Sequence, residues 1–276
     1  MIKEDNLQHR DDAFCNEEHP DKFHLDWMGK LDPSKLVSEL SIPGTHDSCA
    51  RYGTVFAECQ SWSITDELKA GLRYFDIRCR RYKDVFTIHH GIMYQKINFG
   101  NVLNQIRDFF KSYPTEGVVM RVKEEYEPEE PTASFEDVFK KYSDAFPGLF
   151  LLSTQIPNLK EIQSRIWVLQ DGKSLGSKRW NSLDIQDYYD LGYYTNLDKK
   201  KEVIEKQMIK ASNDPNKLNF YANHCSATGI IFEEPIFVAK ETNKVVLEKG
   251  GNLKRLGITI MDFPGESLIE FIINKN

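Results

Sequence analysis

His46 and His90 are the residues around which chemistry could be organised. His46 stands in Ile42-Pro43-Gly44-Thr45-His46-Asp47-Ser48, and His90 in Phe86-Thr87-Ile88-His89-His90-Gly91. Between them, Phe75-Asp76-Ile77-Arg78 sets a carboxylate and a guanidinium at strand spacing. Near neutral pH one histidine can remove a proton while the other returns one. An arginine in the same set can hold a phosphate through its planar fork. The combination points to acid–base cleavage of a phosphodiester, and no metal-ligand spacing accompanies it.

The surrounding residues carry weaker signals. Asp76 and Arg78 share one strand face, because side chains alternate with period two, and form either a structural ion pair or part of a site. His89 and His90 point opposite ways on a strand, so only one can face a site, and Gly91 permits a close approach after them. Asp47 could steer the second histidine or the arginine. Lys123, which shares a face with Arg121, is either a second cation for an anionic or hydroxyl-rich substrate or part of a solvated charge run. Asp262 follows the apolar run Gly257–Met261, and a histidine base commonly needs such a carboxylate to fix its tautomer. The stretch Lys173–Thr195 holds Trp180, Tyr188, Tyr189, Tyr193 and Tyr194. It reads either as packing under a loop or as a cover whose Tyr189 stacks on a sugar-like ring.

These residues need a scaffold that gathers them. Apolar periodicity predicts helices at Ile64–Gly71, Asn101–Tyr113, Ser134–Tyr142, Lys199–Ser212, Pro235–Lys249 and Ser267–Ile273. Strands are expected at Leu72–Ile77, Val85–Ile88, Val118–Val122, Ile166–Leu169, Leu183–Ile185, Leu218–Tyr221 and Gly257–Met261, after a short apolar segment at Leu36–Ile42. Alternation of this kind implies a mainly parallel α/β sheet. With seven or eight strands in 276 residues, a (β/α) barrel of the TIM type is favoured over an open doubly wound sheet. His46, Asp76, Arg78, His90, Lys123, Asp187 and Asp262 each end or just follow a short apolar run, where parallel barrels place their sites. Residues 1–24 are highly polar and are expected to be a flexible tail or a lid over the first helix. Residues 25–276 then form one catalytic domain.

Composition excludes several classes. With 36 basic against 42 acidic residues, the net charge of −6 argues against a nucleic-acid binder. The five cysteines are odd in number and lack C-x-x-C spacing, so reduced thiols are expected rather than a zinc site or a disulfide framework. No apolar run approaches the roughly 18 residues of a membrane span. The N-terminus lacks the apolar core of a signal peptide, so the protein is expected to stay inside the cell unless this is a mature form. G-x-S-x-G, phosphate-loop and H-E-x-x-H motifs are all missing.

The motifs Ser41–Ser48, Gly71–Arg78, Ile88–Gly91 and Met120–Lys123, with Ile185–Tyr189 and Ile258–Pro264, resemble the catalytic X-domain of bacterial phosphatidylinositol-specific phospholipases C. The resemblance implies a single distorted α/β barrel that cleaves phosphatidylinositol, and often glycosylphosphatidylinositol anchors, without metal or cofactor. It assigns His46 as general base, Asp262 as its orienting carboxylate, Arg78 as the phosphate clamp and His90 as general acid. Asp47 and Asp76 become supports for the arginine and the acid, and Lys123, Asp187 and Tyr189 become inositol-ring contacts. Arg78 in turn implies calcium independence. A monomer that meets the membrane transiently is expected. Two departures stand out. Gln170-Asp171 replaces an inositol-binding arginine of some members, and the segment after Asp47 offers Tyr52, Val55 and Phe56 in place of a membrane-inserting tryptophan. Two rival readings are a metal-dependent glycerophosphodiesterase and a non-catalytic phosphoinositide-binding domain. Arg78 opposes the first by repelling a cation, and retention of both histidines opposes the second.

Overall fold

A computed structural model describes residues 9–192, 196–229 and 234–276. In chain order the elements begin with β1 (Ile42–Thr45), α1 (Ile64–Ala70), β2 (Tyr74–Tyr82), β3 (Val85–His90) and β4 (Met93–Asn98). Next come α2 (Phe99–Ser112), β5 (Val118–Glu124), α3 (Phe135–Ala145), β6 (Phe150–Leu151), α4 (Leu159–Ile162) and β7 (Ile166–Asp171). The chain ends with β8 (Lys178–Arg179), β9 (Asp184–Gln186), α5 (Leu197–Asn213), β10 (Tyr221–His224), α6 (Pro235–Lys249), β11 (Ile258–Met261) and α7 (Glu266–Ile273).

Local chemistry sets several boundaries. Ser63 caps α1 by accepting from Asp66 N–H, and Gly71 ends it at φ 112°. Ser134 caps α3 in the same way. Asn158 and Glu161 form a reciprocal capping box on α4, and Pro235 occupies the first turn of α6.

The sheet follows the order β6-β7-β5-β2-β1-β11-β10-β9, and every pair along it is parallel. It curls into a barrel. Trp167 on β7 stacks on Phe220 at the foot of β10, with centroids 5.9 Å apart, although four strands separate those two in the sheet. Among the described residues no strand pairing joins β9 to β6 or β8, so the hydrogen-bonded wall keeps a seam. That seam is the distortion of the barrel.

Period-two alternation sorts the strands into two faces. Ile42, Tyr74, Val119, Trp167, Leu169, Ala222, Ile258 and Ile260 face inward and fill the lumen. Phe75, Ile77, Val118, Met120, Val122, Ile166 and Val168 face outward against the helices. Tyr74 crosses the lumen beside Gly44, where a Cβ would come within 2.6 Å of the tyrosine Cβ. Above this apolar floor the next inward positions are polar: His46, Asp76, Arg78, Arg121, Lys123, His224 and Asp262.

Residues 9–24 are not the flexible tail expected from their polarity. Phe14 is fully buried against Phe263, and Cys15 N–H donates to the Phe263 carbonyl at 3.0 Å. Gly265 and Leu268 N–H donate back to Ala13 and Asp12. Several of the charged residues that make the segment look unstructured are paired: Arg10 binds Glu266 at 2.9 Å and His19 meets Asp66 of α1 at 3.2 Å. The segment is a strap across α1 and α7, closer to the lid alternative. Among the expected strands, two shift most. β2 runs on to Tyr82, and the strand expected at Leu218–Tyr221 lies three residues later, at Tyr221–His224.

Candidate active site

The turn after β1 places the first pair of residues. His46 N–H donates to Met261 O at 3.0 Å, and Ser48 N–H donates to Asp76 O at 3.1 Å. Asp47 sits in the left-handed region, φ 39°, which a side chain with a Cβ rarely adopts outside functional or tightly held turns. Its N–H bonds Asp76 Oδ2 at 3.1 Å. Gln60 holds the ends of β1 and β11 together by donating to both the His46 and Met261 carbonyls.

His46 has a defined tautomer. Its Nδ1 lies 2.9 Å from Asp262 Oδ1, and its Nε2 lies 2.7 Å from an Arg78 nitrogen. Arginine only donates, so Nε2 must accept and the ring proton resides on Nδ1, facing the carboxylate. The imidazole is therefore oriented, with its basic nitrogen toward Arg78.

His90 arrives by a different route from the one its sequence position suggests. β3 runs antiparallel to β2, pairing Tyr82 with Val85 and Cys79 with Ile88. The hairpin thus folds back and returns His90 to the level of Arg78, whereas a parallel strand would carry it away. There His90 Nδ1 lies 3.0 Å from Asp47 Oδ2. Burial pulls the His90 pKa down, but the Asp47 carboxylate outweighs it, and the net shift is upward. His89 points away and packs, buried, against Tyr94.

Arg78 lies between the two histidine–aspartate pairs. It forks onto Asp76 Oδ2 at 3.0 and 3.2 Å and lies 3.4 Å from Asp47. Burial opposes its charge, yet Asp76, Asp47 and Glu125 together raise its pKa well above normal. Burial likewise disfavours the Asp76 carboxylate, but Arg78 and Arg121 hold its pKa well below the usual range. His46, Asp47, Asp76, Arg78, His90 and Asp262 form one connected network.

Residues 34–171 match the family described as phosphatidylinositol-specific phospholipase C, X domain. The chain belongs to this family. A Listeria monocytogenes relative named 1-phosphatidylinositol phosphodiesterase is 31% identical over 280 residues, covering 91% of this chain and 84% of the relative. A Staphylococcus aureus phosphatidylinositol-specific phospholipase C, in a structure concerned with its membrane binding, is 28% identical with a TM-score of 0.81, over 91% of this chain and 97% of that one. The Listeria monocytogenes enzyme structure gives 29% and 0.79, over 92% and 99%.

The residues expected to bind a ring are placed unevenly. Lys123 joins the network through Glu125, whose Oε2 accepts from its ammonium at 3.0 Å and whose Oε1 lies 3.9 Å from Arg78. Asp187 directly follows β9, and Tyr189 is 62% exposed. Among the described residues no hydrogen bond or ion pair joins either side chain to the histidines or Arg78. Tyr193 and Tyr194 lie outside the described residues. Trp180 is no mobile cover: it is buried in the lumen beneath Arg121, 5.0 Å from the guanidinium.

Sequence reasoning missed Glu125, Arg121 and His224 as members of the site. Glu125 also accepts Gly91 N–H at 3.0 Å, bracing the turn after His90. Arg121 reaches Asp76 at 3.3 Å and Asp171 at 3.0 Å. Its shared face with Lys123 was the available signal. His224 meets His46 edge-on at 6.0 Å, and burial and the nearby cations keep its pKa well below normal. Gln170 is turned away from the lumen and accepts from Leu175 and Ser177 N–H. On this side of the site Arg121, one strand over, supplies the guanidinium.

Proposed function

We propose that this protein is a phosphatidylinositol-specific phospholipase C that needs no metal, cleaving phosphatidylinositol to diacylglycerol and inositol 1,2-cyclic phosphate. The observation that carries the reading is the pair of histidine–aspartate couples on either side of one guanidinium. His46 Nε2 accepts the proton of the inositol 2-hydroxyl, whose oxygen attacks the neighbouring phosphorus. The attack is intramolecular, so much of its entropic cost is already met. The bond from phosphorus to the glycerol oxygen breaks, and His90 protonates that oxygen. Its raised pKa keeps it charged for this step. Arg78 exchanges its bond to His46 for the phosphate oxygens, where negative charge collects.

Lys123, Asp187 and Tyr189 are assigned to the inositol ring. Asp47 and Asp76 hold the acid and the clamp, and Asp262 holds the base. The protein acts as a monomer on phosphatidylinositol, or on a glycosylphosphatidylinositol anchor, at a membrane surface. Exposed apolar side chains follow the site residues in sequence, with Phe56 after β1, Ile92 after His90 and Tyr126 after Glu125. The reading is tested with His46→Ala and His90→Ala. Each is expected to cut turnover at least 1000-fold, on the order of losing an essential acid–base group, with the circular dichroism spectrum unchanged. Parent-like turnover in either variant refutes the assignment.

A further inference from the structure

Cys59 lies beside the two catalytic histidines, His46 and His90. It is fully buried, and its Sγ lies 3.9 Å from His90 Nδ1. A ring nitrogen of His46, the Cys59 sulfur and a carboxylate oxygen of Asp262 all lie within 4.8 Å of one another. The backbone fixes this grouping. Cys59 N–H donates to Ala50 O at 2.8 Å, in the turn that carries His46 and Asp47. Its carbonyl accepts from Phe263 N–H at 3.0 Å, directly after Asp262.

We propose that His46, Cys59 and Asp262 form a binding site for a thiophilic divalent cation such as Zn2+ or Cd2+, and that occupancy switches the catalytic base off. A tetrahedral zinc takes sulfur at about 2.3 Å and nitrogen or oxygen at about 2.0–2.2 Å. Ligand atoms around it are therefore roughly 3.3–3.6 Å apart, so the Cys59 sulfur, within 4.8 Å of the other two, moves inward while His46 Nδ1 and Asp262, now 2.9 Å apart, open slightly. Thiolate, imidazole and carboxylate are a donor set for zinc and its soft neighbours, whereas calcium and magnesium want oxygen alone. Binding releases the Cys59 thiol proton to solvent, and the resulting thiolate and the carboxylate supply two negative charges to balance the ion. Arg78 meets the ring at Nε2, whereas Asp262 meets it at Nδ1, so a cation on the carboxylate side stands a ring's width from the guanidinium and next to the opposite charge of Asp262.

Inhibition follows from the tautomer. A cation on Nδ1 displaces the proton that Nδ1 now carries. In a neutral ring that proton moves to Nε2, which gives up its contact with the donor-only Arg78 and has no lone pair for the substrate hydroxyl. The inhibitory half of the proposal rests on His46 being the base, whereas the binding half does not.

The experiment titrates the full chain with Cd2+ alone and follows the ultraviolet thiolate-to-cadmium charge-transfer band. One equivalent is expected to saturate it. Cys59→Ser, or Cys59→Ala if the hydroxyl is not tolerated at this buried position, removes the band, whereas Cys225→Ser keeps it. In a second arm, Cd2+ is titrated against turnover of phosphatidylinositol vesicles. The Cys59 variant is expected to need at least tenfold more cadmium for half-inhibition than the parent, and Ca2+ is expected not to inhibit the parent. Absence of the band in the parent, its persistence without Cys59, or equal cadmium sensitivity of the two proteins overturns the proposal. A Cys59-dependent band in a chain that does not cleave the lipid supports the binding site and counts only against the reading of the activity.

Discussion

An arginine nitrogen of Arg78 lies 2.7 Å from His46 Nε2, so the clamp occupies the base's lone pair until substrate arrives. The contact aims the ring at the place where a phosphate would sit. Replacing Arg78 removes both the clamp and this alignment. Arg78→Ala is expected to lower kcat about 100- to 1000-fold, the scale for losing one preorganised donor to a developing oxyanion. Arg78→Lys, which keeps the charge but not the fork, should recover only part of that loss. Steady-state kinetics on phosphatidylinositol checks the order.

The Asp47–His90 pair should set the alkaline side of the pH profile. The net effect of its surroundings raises the His90 pKa, so the acid stays protonated above the ordinary value of 6.5 and fails as pH rises through the raised one. The same pairing contributes stability that is fully present below 6.5 and is lost through that rise. Asp47→Asn removes the carboxylate while burial remains. Its alkaline limb is expected to move to lower pH, with reduced kcat. A limb at the parent position would assign the alkaline ionisation to another group.

Membrane contact should be separable from chemistry. Phe56 is 47% and Ile92 63% exposed, and neither joins the network around Arg78. A double replacement, Phe56→Ser with Ile92→Ser, is expected to weaken sedimentation with phosphatidylinositol vesicles several-fold. Cleavage of a soluble inositol phosphodiester should stay within twofold of the parent.

The strap should be worth more than its polarity suggests. Phe14 packs on Phe263, one residue from Asp262, and Asn243 donates to both the Ala13 and Asp262 carbonyls. Phe14→Ala is expected to cost about 3–5 kcal/mol, the usual range for an aromatic removed from a core. Urea unfolding measures it, and a loss under 1 kcal/mol would show the strap to be dispensable.

How legible these features were depended on what each residue relied on. His46, Arg78 and Asp262 could be located because each ends an apolar run whose parity already sets the inward face. His90 was identified from the same pattern, but what brings it to the site is the fold-back of β3 on β2 through the Lys83-Asp84 turn, a hairpin register that apolar periodicity does not report. His224 was hidden because Leu218–Tyr221 looks more strand-like than Tyr221–His224, whose Asn223 amide is satisfied only through tertiary contacts with Ile204 O and Gln186. The strap was hidden because its charges find partners far away in sequence, such as Arg10 with Glu266. Asp187 and Tyr189 follow β9, and among the described residues no hydrogen bond or ion pair ties their side chains to the histidines or Arg78.

The most direct test of the central claim is the product made in excess chelator. Phosphatidylinositol vesicles are incubated with the protein and EDTA, and the water-soluble phosphorus is followed by 31P NMR. Proton transfer by His46 and His90 around Arg78 predicts a cyclic inositol phosphate signal as the first product, at a rate the chelator does not change. A first product that is an acyclic phosphomonoester, or cleavage that stops in chelator and returns with an added divalent cation, would contradict it.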